Sequence, residues 1–139
     1  MKQYTTLFVG LVGFLGFSVS VNAAGENCQA SIVFSVDQDI SPYTKINFNA
    51  SGTRADGTPT NKGASVQAGR SRTVKVPCGQ YTIAATPMAQ SRSAAAAVGR
   101  CTYNNGKTVD LVNEGDSTTV SFDAKTSKEN FQCPANTFN

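Results

Sequence analysis

Apolar residues recur at every second position along most of this chain, in short runs separated by Gly, Pro, Asn, Asp and Ser. That spacing restricts the chain to β-strands, because side chains alternate between the two faces of a strand with a period of two. The run Ala30–Val36 sends Ile32, Phe34 and Val36 to one face. Tyr43–Ala50 sends Ile46, Phe48 and Ala50 to one face and Tyr43, Lys45, Asn47 and Asn49 to the other. Further strands are predicted over 70–77, 80–86, 98–103, 107–112 and 117–124, the last with Val120, Phe122 and Ala124 on its apolar face. Cys78-Gly79 is read as the turn of one hairpin. Asn104-Asn105-Gly106, whose residues readily take positive φ, is read as the turn of a second. The Ala94–Ala97 run has high helix propensity, but it is too short to overcome helix nucleation. Seven short strands without crossover helices predict an all-β fold, a seven-stranded antiparallel β-sandwich, with a partly open barrel as the alternative.

The N-terminus stands apart from this pattern. Leu7 to Val21 is apolar apart from Gly and Ser, is preceded by Lys2, and is followed by Val21-Asn22-Ala23. These are the three regions of a secretory signal peptide. The run falls short of the roughly 20 apolar residues that a membrane-spanning helix needs, so no membrane insertion is expected. Residues 1–23 are therefore read as a signal peptide cut after Ala23, and 24–139 as a single domain, secreted or periplasmic.

All four cysteines, Cys28, Cys78, Cys101 and Cys133, lie in the exported part. An oxidising compartment favours disulfides over thiolates, and the long spacings are unlike those of zinc sites. Two disulfides are expected. If consecutive strands reverse direction, Cys78 and Cys101 fall at one end and Cys28 at the other, which predicts Cys78–Cys101 with Cys28–Cys133. The alternative is Cys78–Cys133 with Cys28–Cys101.

Composition removes several kinds of function. The chain has no His, and with it go the commonest general base and the commonest metal ligand. Once Lys2 is set aside, basic groups exceed acidic ones too slightly to attract nucleic acid. The acidic residues Asp110, Glu114, Asp116 and Asp123 show no pairing logic, and Asp37 and Asp39 flank Gln38 in what reads as a solvated turn before Ser41-Pro42. Ser71 and Lys75 share one face of an extended strand, too far apart to act as a dyad. No nucleophile elbow, phosphate loop or dinucleotide fingerprint occurs. The expectation is a protein that is not an enzyme, with no cofactor and no metal.

Two segments, 66–76 and 112–122, match in register, each placing a Gly ahead of a strand; Gly69 and Gly115 occupy the same position. A glycine turn feeding a strand is a local solution that recurs by necessity, so no repeat architecture follows. Gly52-Thr-Arg-Ala-Asp56-Gly57-Thr-Pro59 with Gly63-Ala64-Ser-Val66, followed by Val74-Lys-Val76-Pro77-Cys-Gly79-Gln-Tyr81-Thr-Ile83-Ala-Ala85, resembles the carboxypeptidase-regulatory-like or prealbumin-like (transthyretin-like) modules. The resemblance implies a small immunoglobulin-like or prealbumin-like sandwich without catalytic residues, and it carries over no functional position.

Binding is the remaining class, and loops are where it is expected. Alternating strand directions would gather the connections 51–69, 87–97 and 113–116 at one end. There Arg54, Lys62, Arg92, Glu114 and Asp116 would form a mixed-charge surface for a protein partner of envelope, host or extracellular origin. Carbohydrate binding is the alternative; with no Trp in the chain, it would rely on Tyr43 and Tyr103 as exposed rings. A small secreted effector or inhibitor is the third reading.

Overall fold

The computed structural model describes residues 27–89, 99–123, 130–135 and 137. The signal-peptide segment, Arg92 and the Ala94–Ala97 run lie outside them. The described residues form β1 (Gln29–Val36), β2 (Lys45–Arg54), β3 (Pro59–Gln67), β4 (Ser71–Pro77), β5 (Gly79–Met88), β6 (Cys101–Tyr103), β7 (Val109–Leu111), β8 (Ser117–Phe122) and β9 (Phe131–Gln132). They make two sheets: a three-stranded one in the order β4-β1-β8, and a larger one in the order β3-β2-β5-β6-β9 with β7 also on β5. The protein is nearly all β, as the period-two pattern requires.

Alternation positions the core. Ile32, Phe34 and Val36 of β1 are buried, as are Ile46, Phe48 and Ala50 of β2, Tyr81, Ile83 and Ala85 of β5, and Val120 and Phe122 of β8. Rings from the two sheets meet: Phe34 stacks on Phe48 with centroids 4.6 Å apart, and Phe122 packs against Phe131 at 5.0 Å. Offset and tilted ring pairs of this kind add to the burial energy of the aromatic side chains.

Three expectations about connectivity are corrected. First, residues 59–67, read as part of a long loop, form β3, which pairs antiparallel with β2 from Lys45↔Gln67 to Thr53↔Pro59. Its sequence, with Pro59, Asn61, Lys62 and Gly63, looks like a loop because β3 is an edge strand, and only Ala64 and Val66 are buried. Second, neither expected hairpin exists. β4 and β5 belong to different sheets, so Cys78 is a crossing between them. β6 and β7 both run antiparallel to β5, at Ala85↔Cys101 and at Gly79↔Leu111, so they are two pieces of one strand path. The 3-10 turn Asn104–Gly106 between them, with Asn104, Asn105 and Gly106 all at positive φ, interrupts that path without reversing it. Third, the fold is not wholly antiparallel: β8 runs parallel to β1.

The extra strand reverses the expected directions of β4, β5 and β6, and the missing second hairpin then restores those of β7 and β8. With β3 inserted, β4 runs antiparallel to β1, and the start of β1 lies beside the end of β4 in the register Gln29↔Pro77. β4 and β8 flank β1 on its two sides, and the matched glycines Gly69 and Gly115 sit at φ 73 and 81. The recurrence is therefore a shared turn solution: one of the two strands is antiparallel to β1 and the other parallel.

Candidate functional site

Both disulfides follow from register. Cys28 and Cys78 extend the Gln29↔Pro77 pair by one residue, and they are bonded with Cα atoms 5.3 Å apart. Cys101 and Cys133 extend the Thr102↔Gln132 pair and are bonded at a Cα distance of 4.2 Å. This connectivity is neither of the two expected. The expected pairings placed Cys28 and Cys78 at opposite ends, a direct consequence of leaving β3 out of the strand count. Two disulfides among the described residues belong to an oxidising compartment. No helix among them is long and apolar enough to cross a membrane.

The Cys28–Cys78 bridge gathers two turns at one end of the protein. Ala55 N–H donates to the Cys78 carbonyl at 3.2 Å, which ties the β2–β3 hairpin tip to the crossing. Within that tip, Gly57 takes φ 87, and Asp56 accepts from Thr58 N–H at 2.8 Å. That hydrogen bond holds the Asp56 carboxyl below its ordinary pKa, and the neighbouring Arg54 guanidinium adds to the effect. The 113–116 turn is fixed in the same way. Asp116 Oδ2 accepts from the backbone N–H of Val112 at 3.0 Å and of Asn113 at 2.9 Å. Glu114 accepts from Gln29 N–H at 2.6 Å, and Gly115 N–H donates to the Gln29 carbonyl at 2.9 Å.

Between these turns lies a groove of about 250 Å³, lined by Thr53, Arg54, Ala55, Cys78, Gly79, Gln80 and Val112. Its floor depends on glycine, since a Cβ at Gly79 would lie 2.2 Å from the Thr53 carbonyl oxygen. Val112 is 66% exposed and is the large hydrophobic side chain that stands out into solvent among the described residues. The cause is local: Leu111 is buried at the end of β7, so the next side chain must point the other way. Beneath the groove, the buried Tyr81 hydroxyl donates to the Pro77 carbonyl across the inter-sheet crossing. Burial raises the Tyr81 pKa, and Arg54 acts in the opposite direction, which puts its guanidinium within electrostatic reach of both Tyr81 and Asp56.

The structure brings together Arg54, Glu114 and Asp116 from the expected partner surface. Lys62 is not with them. It lies in the middle of β3, opposite Ala50. β5 ends away from this group, because Met88 pairs with Lys45 at the far end of β2 whereas Gly79 pairs with Arg54 at this end. Glu114 and Asp116 spend their carboxylates on backbone N–H groups, so they shape the turn. Val112, Thr53, Ala55 and Gln80 escaped the sequence reading. The signal for Val112 was present, since two adjacent apolar residues in a strand of period two cannot both be buried on one face.

Tyr43 and Tyr103 do not form an exposed platform. Tyr43 is only 8% exposed, with its hydroxyl donating to the Thr137 carbonyl. Tyr103 is half-buried against Phe131 at 5.1 Å. The Cys28 and Cys78 sulfurs and a Glu114 carboxylate oxygen lie within 4.8 Å of one another. Because the sulfurs are bonded to each other, they hold no thiolate to offer a cation. No family model, curated protein or solved structure matches this chain.

Proposed function

We propose that this chain is an exported, non-catalytic β-sandwich module that recognises a protein partner with the end bearing the Cys28–Cys78 bridge. The observation that carries the reading is Val112, a solvent-facing aliphatic side chain beside the Arg54 groove, on turns held by a disulfide and by hydrogen bonds from main-chain N–H groups. Arginine is enriched among the residues that concentrate binding energy at protein interfaces, and an exposed aliphatic contact beside it, on a support that loses little freedom when bound, suits such an interface. The sandwich reading is supported by the ring contacts between the sheets. It is supported too by the Tyr81–Pro77 bond, which has the form of the tyrosine corner in Greek-key sandwiches. The same Pro77–Tyr81 stretch carries the likeness to prealbumin-like modules. The reading as a non-enzyme is supported by the lack of His and by the structural use of Glu114 and Asp116. Export is supported by the apolar N-terminal run and the two disulfides.

The test is affinity capture from envelope and host extracts with the wild type, Val112→Asp, Arg54→Glu and a far-end control, Lys45→Glu. The expected result is a protein retained by the wild type and the control and lost from the first two variants. All three substitutions are at exposed positions and should shift stability by less than about 0.5 kcal/mol. Equal retention by all four proteins would remove this end as the binding surface.

A further inference from the structure

Edge strands expose unpaired main-chain groups, and most edges here are blunted in ways that resist pairing. β3 begins at Pro59 and carries Lys62, opposite the buried Ala50 and therefore on the inward-facing side of the edge. β4 carries Lys75 and also Arg72, which lies opposite the buried Phe34 and so again on the inward side. β7 spans 3 residues and β9 spans 2, too short to template a partner.

β8 differs. Its 6 residues, Ser-Thr-Thr-Val-Ser-Phe, contain no charge, no Pro and no Gly, and among the described strands it pairs only with β1. The ladder shows which groups are spent. Ser31 N–H donates to the Asp116 carbonyl and Asp37 N–H to the Phe122 carbonyl, so the even-numbered residues of this strand bond to β1. In a parallel ladder the alternate residues then turn their N–H and C=O away, and on β8 those are Ser117, Thr119 and Ser121.

We infer that a second copy of this chain adds to this edge, β8 against β8 in antiparallel pairing about a two-fold axis at Thr119. A two-fold interface places a strand against itself, so a charged strand meets its own charge, and β8 is the full-length edge without one. The outward residues also select the register. Centring on Thr119 sets Thr119 against its own copy and Ser117 against Ser121, so every outward-facing residue exchanges both of its N–H···O bonds. The flanking carboxylates are then kept apart, with Asp116 opposite Phe122 and Asp123 opposite Gly115. Cross-strand Thr–Thr and Ser–Ser pairs are favourable neighbours on a sheet face. The two small sheets become one continuous sheet, β4-β1-β8-β8-β1-β4.

The test uses protein made by expressing the full chain in an oxidising compartment. Sedimentation equilibrium should show the mass doubling as concentration rises from about 1 μM to about 1 mM, the range of a small interface. Hydrogen exchange by NMR should slow at the Thr119 and Ser121 amides at least tenfold between dilute and concentrated wild type. Thr119→Lys, which sets two ammonium groups at the axis, and Thr119→Pro, which removes an outward N–H and leaves the bonds to β1 intact, should both stay monomeric with unchanged far-UV circular dichroism. A wild type that remains monomeric throughout, a dimer that survives Thr119→Lys, or a Thr119 amide whose exchange ignores concentration would each overturn the inference. The exchange measurement decides the matter on the wild type alone if either variant fails to fold.

Discussion

Removing the Cys28–Cys78 bridge tests how far chain entropy holds this fold together. The bridge spans a sequence separation of 50 and Cys101–Cys133 one of 32, and the two loops are disjoint, neither nested nor overlapping. Loop-closure entropy grows with the logarithm of loop length, so the first bridge is worth about 4 kcal/mol and the second slightly less. Because the loops do not share residues, the two contributions add to about 8 kcal/mol, comparable with the whole stability of a domain this size, about 5 to 15 kcal/mol. The double variant Cys28→Ala with Cys78→Ala should therefore fold, with its urea midpoint lowered by roughly 2 M and its slope somewhat steeper, because the unbridged denatured chain is more expanded. The fully reduced wild type should be unfolded in buffer. Alanine is preferred to serine because Cys78 is buried and a hydroxyl there would add a desolvation cost of its own. A loss of stability below about 1 kcal/mol, read from midpoint and slope together, would refute the loop-entropy reasoning. Peptide mapping of the oxidised protein supplies the independent check, since only peptides joining Cys28 to Cys78 and Cys101 to Cys133 are expected.

Tyr81→Phe deletes the hydroxyl that donates to the Pro77 carbonyl and leaves that acceptor at the inter-sheet crossing without its partner, so chemical denaturation should show a loss of about 1 to 3 kcal/mol. Phe34→Ala empties the stacking position against Phe48 and should cost about 3 to 5 kcal/mol, with Phe34→Leu recovering most of it. Burial raises the phenol pKa values of Tyr43 and Tyr81, so their contribution is fully present below the pKa of an unfolded tyrosine and is lost as pH rises through the folded values. Thermal unfolding followed across the alkaline range should show that decline, and spectrophotometric titration should show two tyrosines ionising later than a free phenol.

Much of the fold was legible because a strand's period is intrinsic to its backbone. Ile32, Phe34 and Val36, or Tyr81, Ile83 and Ala85, alternate because burial selects one face, and that selection is written residue by residue. The number of disulfides was legible for a similar reason, since four widely spaced cysteines in an oxidising compartment have one stable chemistry. What escaped was whatever depends on a neighbour. β3 buries only Ala64 and Val66, too little for a pattern to register, because its partner β2 supplies the rest of the contact. That one strand sets the direction of β4, and with it the end at which Cys78 meets Cys28.

The Asn104-Asn105-Gly106 turn shows the same limit at shorter range. Its positive φ values were foreseeable from residue type, but whether such a turn reverses a chain or interrupts a strand is decided by β5, which pairs with the segments on both sides of it. Tyr43 was expected in solvent on strand parity alone. It is buried because Thr137, far along the chain, closes over it. The sequence alone determined which residues could be core and that the cysteines would pair as in an oxidising compartment, because these depend on side-chain type and spacing. Only the tertiary structure decided the strand order, the disulfide partners and the groove beside Val112, because each is a contact between segments that local preference leaves free to meet in several ways.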